Sequence, residues 1–163
     1  MKKTFIFSLA LVIFLFGCTP NVPPTPCLEF SANIRAVGEN YSLEAQLSST
    51  SQGALFISVT TPDEIAGLSY SFKDELSISF SGLKMKSSEK YLPCENFAAA
   101  IKSVLEDLSE KAEFKGFRES FAVFSGISES GEYEALTDKD GFIKNISLKE
   151  INLNVSLDSI CFQ

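Results

Sequence analysis

The sequence predicts a mainly β domain of the α+β class: a curved antiparallel sheet forming a half-barrel, with one amphipathic helix packed on its concave face as a lid. Three observations predict it. From Phe30 onward apolar and polar residues alternate with period two, the mark of strands that bury one face. The alternating runs are joined by short turns rich in Gly, Asn and Asp, so strands adjacent in sequence pair in space. One segment, Phe97 to Leu108, switches to spacings of three and four, which is helical.

Taken in order, Tyr41, Leu43, Ala45 and Leu47 share one face of a strand while Ser42, Glu44, Gln46 and Ser48 share the other. Leu76, Ile78 and Phe80 alternate with Ser77, Ser79 and Ser81, and Ile151, Leu153, Val155 and Leu157 alternate with Asn152, Asn154, Ser156 and Asp158. Weaker versions run through Leu55 to Val59, Phe121 to Ser125 and Ile143 to Ser147. Between them stand Val37-Gly38-Glu39-Asn40, Ser51-Gln52-Gly53, Lys73-Asp74, Ser130-Gly131, Asp138-Lys139-Asp140-Gly141 and Lys149-Glu150, residue types that tolerate the backbone angles of tight hairpins. The sum is a meander of eight or more strands. After Pro93, which suits a helix start, Phe97, Ile101, Val104, Leu105 and Leu108 form an apolar stripe, with Lys102, Glu106, Asp107 and Glu110 turned away. The helix runs about four turns, or forms two pieces if Ser109 to Phe114 continues it. Its apolar stripe packs on the concave face, the apolar surface left to receive it.

Residues 1–17 have the form of a signal peptide: Lys2 and Lys3, an apolar run from Phe5 to Phe16, and Gly17 directly before Cys18. The run is too short to span a bilayer permanently. Leu15-Phe16-Gly17-Cys18 resembles the lipobox of bacterial lipoproteins, with Phe16 where that family carries a small residue. The resemblance implies cleavage before Cys18, lipidation of its thiol by acyl chains such as palmitate, and a domain anchored to the cell membrane on its extracytoplasmic side. Two or three acyl chains hold where one would not. Residues 18–27 follow as a tether with prolines at 20, 23, 24 and 26, a composition that favours an extended spacer. Residues 28–163 are enough chain for one domain with its own core.

Without the signal peptide 12 basic side chains face 21 acidic ones, a net charge of about −9. With no basic cluster and no phosphate-binding loop, nucleic acid is excluded as a partner. Cys27, Cys94 and Cys161 remain besides Cys18, an odd count that leaves at least one thiol free or paired between chains. Cys27 and Cys161 bracket the domain and are a candidate disulfide if the first and last strands end side by side. The chain has no histidine and no CxxC pair, so no metal site and no cofactor is expected. An enzyme is not expected either, since base catalysis would fall to a carboxylate, a lysine or a cysteine. Asp74-Glu75, Glu106-Asp107 and Glu132 with Glu134 read as solvated charge. Cys94, beside Pro93, reads as an incidental thiol. Asp138-Lys139-Asp140-Gly141 echoes a calcium loop, but its twelfth position is Lys149 where a bidentate Glu is needed.

A long curved antiparallel sheet with a helical lid, on a lipoprotein, resembles the LolA/LolB family of lipoprotein carriers. Residues 28–163 form the LolA-like domain. The stretches that carry the resemblance are Leu55 to Pro93, with Thr61-Pro62-Asp63-Glu64 and Ala66-Gly67-Leu68-Ser69-Tyr70, then Gly131-Glu132-Tyr133 and Asp140-Gly141-Phe142. It implies a half-barrel whose apolar interior takes the acyl chains of a lipid or lipoprotein beneath the helix. The chain departs from the soluble carrier in being anchored itself and in lacking a long N-terminal helix, which favours a fixed receptor, lipid holder or scaffold. On this basis Leu55, Ile57, Val59, Leu76, Ile78, Phe80, Leu153 and Val155 line a site for a lipid or acylated peptide, used in lipid or lipoprotein handling at the cell envelope. Phe97, Ile101, Val104 and Leu108 form the inner side of the lid. The alternative is an interaction scaffold with a packed interior, supporting an envelope or spore-germination partner protein.

Overall fold

A computed structural model describes residues 22–50 and 52–161. Eleven strands are present among them: β1 (Phe30–Val37), β2 (Ser42–Ser49), β3 (Leu55–Thr61), β4 (Ser69–Phe72), β5 (Leu76–Phe80), β6 (Leu83–Ser87), β7 (Glu113–Arg118), β8 (Phe121–Ser128), β9 (Gly131–Thr137), β10 (Ile143–Leu148) and β11 (Leu153–Cys161). One helix, α1 (Phe97–Glu110), separates β6 from β7, and short 3-10 turns fall at Asp63–Ile65 and Glu89–Tyr91.

All strands join one antiparallel sheet in the order β6-β5-β4-β3-β2-β1-β11-β10-β9-β8-β7. The first and last strands therefore pair in the middle, with Ser31 opposite Cys161 and Val37 opposite Asn154. From that centre the chain meanders out to β6, crosses to β7 through α1, and meanders back. A twisted sheet of this many strands curls, and a connection from one edge to the other runs most directly over the hollow side. The position of the helix is thus a consequence of the strand order.

Alternation in the sequence becomes burial. Phe30, Ala32, Ile34 and Ala36 of β1, Leu43, Ala45 and Leu47 of β2, and Leu153, Val155 and Leu157 of β11 turn inward and are buried, while the residues between them face out. In β10 the register shifts between Ile143 and Asn145; this bulge puts Ile143 and Ile146, three apart, on the same buried side. Thr137 at the end of β9 is fully buried and its hydroxyl has no hydrogen-bond partner. Replacing an unpaired hydroxyl by a methyl of equal size removes a desolvation cost. Thr137→Val is expected to stabilise the domain by about 1 kcal/mol, read as a higher denaturation midpoint; a lower midpoint would show that the hydroxyl is satisfied.

The helix does not begin at Pro93. Asn96 caps it, its side-chain oxygen accepting from the amides of Ala98 at 2.9 Å and Ala99 at 3.4 Å, the role asparagine fills at this position. Nor does it continue through Ser109 to Phe114. Lys111 leaves helical geometry, its amide and that of Ala112 both donate to the Asp107 carbonyl, and the chain enters β7. There Phe114 turns its ring against Phe117 and Phe124, with centroids 5.1 and 5.7 Å apart. The aromatic contacts available to a strand outweigh one further helical turn.

Candidate functional site

The site grows from the hollow face of the sheet. Leu55, Ile57 and Val59 of β3, Leu76 of β5, and Leu153 and Val155 of β11 are all buried in one apolar cluster. The same cluster contains Phe97, Ile101, Val104 and Leu108 of α1. Ten of the twelve side chains expected to line the site and its lid are therefore brought together, and in this structure the helix fills the space between them. Ile78 is half-buried against the edge of the cluster, and Phe80 lies outside it, 39% exposed.

These last two residues mark where the helix stops covering the sheet. Tyr70 pairs across β4 and β5 with Ile78, Ile78 pairs with Met85, and Phe80 with Leu83, so the side chains share the hollow face. Tyr70 is buried beneath the start of the helix, its ring edge-on to Phe97 with centroids 5.6 Å apart. Beyond it nothing among the described residues closes over Met85 or Leu83, which are 56% and 77% exposed. The apolar surface thus runs unbroken from the covered core onto an open hairpin. The alternation that predicts β5 ends at Phe80 and passes over β6, whose signals are the alternation of Leu83-Lys84-Met85-Lys86 and the two-residue turn Ser81-Gly82, both at positive φ, the conformation tight hairpins need.

Polar ties hold the helix. At its start Asn96 donates to the Tyr70 hydroxyl at 3.4 Å. In the middle the Ser103 hydroxyl reaches Ser130 at 3.3 Å, and Ser130 donates to the Cys94 carbonyl at 2.8 Å. Lys102 bridges Glu89 at 2.8 Å and Glu106 at 2.6 Å. Burial works against its ammonium, but the hydrogen bonds to the two carboxylates outweigh this and raise its pKa. Near the end the Tyr133 hydroxyl donates to Asp107 Oδ2 at 2.8 Å; burial first, then the Asp107 carboxylate, push the phenol far above its usual range. Gly126 stands directly opposite Tyr133 in the sheet, and the missing side chain leaves room for the ring to lean across to the helix.

Of the clefts, one of about 540 Å³ lies beside α1, lined by Glu89, Lys102, Glu106 and Glu129 together with Phe72 and Leu92, a mixed polar and apolar wall. A smaller one of about 260 Å³ touches Leu28, Leu55 and Leu105 and reaches the expected lining from the side of the β2–β3 turn. Asp138 is spent on its own hairpin, accepting from the amides of Asp140 and Phe142 at 3.0 Å each, which makes this loop a turn. Cys94 is exposed. The Cys27 thiol sits 3.4 Å from the Glu29 carbonyl, and its amide donates to the Gly141 carbonyl at 2.8 Å. Cys18 and the side chain of Cys161 lie outside the described residues, and with them the lipidation site and the Cys27–Cys161 disulfide. No helix among the described residues is long and apolar enough to cross a membrane.

The fold is that of a curved antiparallel sheet wrapped on a single helix, and a solved structure shares it. An uncharacterized conserved protein from Thermus thermophilus aligns with a TM-score of 0.56 and 9% identity, over 82% of this chain and 78% of the other. A LolA superfamily protein from Nitrosomonas europaea aligns with a TM-score of 0.43 and 12% identity, over 86% and 87%. At these identities the first likeness is one of fold alone, and the second is too distant to carry weight by itself. No protein-family model and no curated protein matches the sequence.

Proposed function

We propose that this protein holds a hydrophobic ligand, a lipid or an acylated peptide, in its half-barrel by apolar burial without covalent chemistry, as an envelope lipoprotein anchored through Cys18. The observation that carries this is the continuity of the hollow apolar face from the covered core onto exposed Phe80 and half-buried Ile78. An acyl chain laid on the open hairpin meets the edge of the helix at Phe97 and Tyr70, and it gains burial by displacing the start of α1. Each methylene so covered contributes about 0.8 kcal/mol. The sequence resemblance to lipoprotein carriers points the same way.

The helix already occupies the interior, and this favours a second reading, an interaction scaffold with a permanently packed core. The two differ in what a lipid does. Native mass spectrometry after incubation with a long-chain fatty acid is expected to show a saturable adduct, lost in Ile78→Asp because a carboxylate would stand on the ligand's path. Ile78 lies at the margin of the core, so the variant is expected to fold. An unaltered adduct in folded Ile78→Asp would refute the assignment of the path, and no adduct on the unmodified protein would leave the scaffold.

A further inference from the structure

We propose that the β5–β6 hairpin and the turn that follows it form a docking surface for an anionic lipid bilayer. Leu83, Met85 and Tyr91 are 77%, 56% and 73% exposed, and β6 is the edge strand of the sheet among the described residues. From Leu83 to Tyr91 the chain carries Lys84, Lys86 and Lys90 against a single acid, Glu89, within a sequence whose formal net charge is −7. Glu89 is itself neutralised by Lys102 at 2.8 Å. Lys86 pairs with Glu75 across the hairpin, but both side chains are largely exposed, and such a surface pair holds weakly enough for a phosphate to replace it. Asp74 also acts on Lys86 beside Glu75, so the corner is rich in lysine rather than free of acid, and it sets those lysines beside exposed apolar side chains.

The arrangement fits an interface between water and hydrocarbon. Leu83 and Met85 project from one side of β6, opposite Phe80 and Ile78, while Lys84 and Lys86 alternate to the other. Lys90 lies 5.0 Å over the ring of Tyr91. Apolar side chains enter the headgroup region, an aromatic ring sits at its level, and lysines reach phosphates on flexible stems. A second copy of this chain is a poor occupant, because it would bring lysines against lysines. Docking needs no opening of the interior, although it uses the same hairpin on which the proposed acyl chain is laid.

The test uses the chain from residue 22 onward, which contains every strand and the helix of the fold and no anchor. The sequence has no tryptophan, so Leu83→Trp, at a position that tolerates a larger side chain, reports from the hairpin alone. Vesicles of phosphatidylglycerol mixed with phosphatidylcholine are expected to shift its emission to the blue, and pure phosphatidylcholine vesicles much less. Adding Lys84→Glu and Lys86→Glu is expected to raise the half-saturating lipid concentration by about tenfold or more. Emission unchanged by anionic vesicles, or an equal shift with neutral ones, would each overturn the proposal, whereas a shift with monomeric fatty acid reports the ligand path beside Phe80, which pairs with Leu83. Fatty-acid adducts in native mass spectra report on the interior separately.

Discussion

Val104→Asp is expected to unfold the domain. Val104 is 0% exposed at the middle of α1, inside the cluster it shares with Ile101, Leu108 and the inward residues of the sheet. An aspartate there stands inside an apolar cluster, where a carboxylate is costly whether charged or protonated. Either state costs on the order of 4 kcal/mol or more, against a total stability of about 5–15 kcal/mol for a domain. Urea denaturation followed by circular dichroism should show no cooperative transition, or a midpoint far below that of the unmodified chain. A loss under about 1 kcal/mol would mean that the helix is not seated in the half-barrel, since an exposed helical position tolerates such a change.

The second large effect is expected at Gly126. A β-carbon added there would fall on Asp107 Oδ2 and within 2.8 Å of Tyr133 Cε1, between the two groups that tie the end of the helix to the sheet. Gly126→Val suits a strand in itself, so its cost isolates the clash. Breaking the tie leaves a phenol hydroxyl and a carboxylate with reduced partners in a half-buried place, about 2–3 kcal/mol. The loss should appear first in the helix, as faster hydrogen exchange of its last turns, with β1 and β11 still protected. Equal loosening of helix and sheet would show that the tie is no separate latch.

Much of this fold is legible because burial follows the period of the strand. β1, β2 and β11 as far as Leu157 each hide every second residue, and the sequence states it plainly. Where the sheet bends, the period breaks: the bulge in β10 places Ile143 and Ile146 on one side, and in β8 three successive residues, Ala122, Val123 and Phe124, are buried. β6 alternates in sequence as Leu83-Lys84-Met85-Lys86 but is short and has no buried residue, so its alternation is not tied to the core. β7 is hidden by its neighbour, since Glu113 to Arg118 follows a helix with no proline or glycine between them. The candidate site shows the same division. The ten lining and lid residues of the core are recoverable from alternation and helical spacing alone. The ties Tyr133–Asp107 and Ser103–Ser130 are not, because each joins residues 26 or 27 apart in sequence that only the edge-to-edge passage of α1 brings together.

That passage also sets the central question, whether the helix yields to a ligand. The most direct measurement is native mass spectrometry of the chain from residue 22 onward with increasing long-chain fatty acid, paired with hydrogen exchange on the same samples. A saturable adduct accompanied by loss of protection at Phe97 to Ile101 is the result expected of a half-barrel that takes an acyl chain by displacing the start of α1. A bare mass at every concentration, with the helix equally protected throughout, would contradict it and make the packed core the end state of this fold.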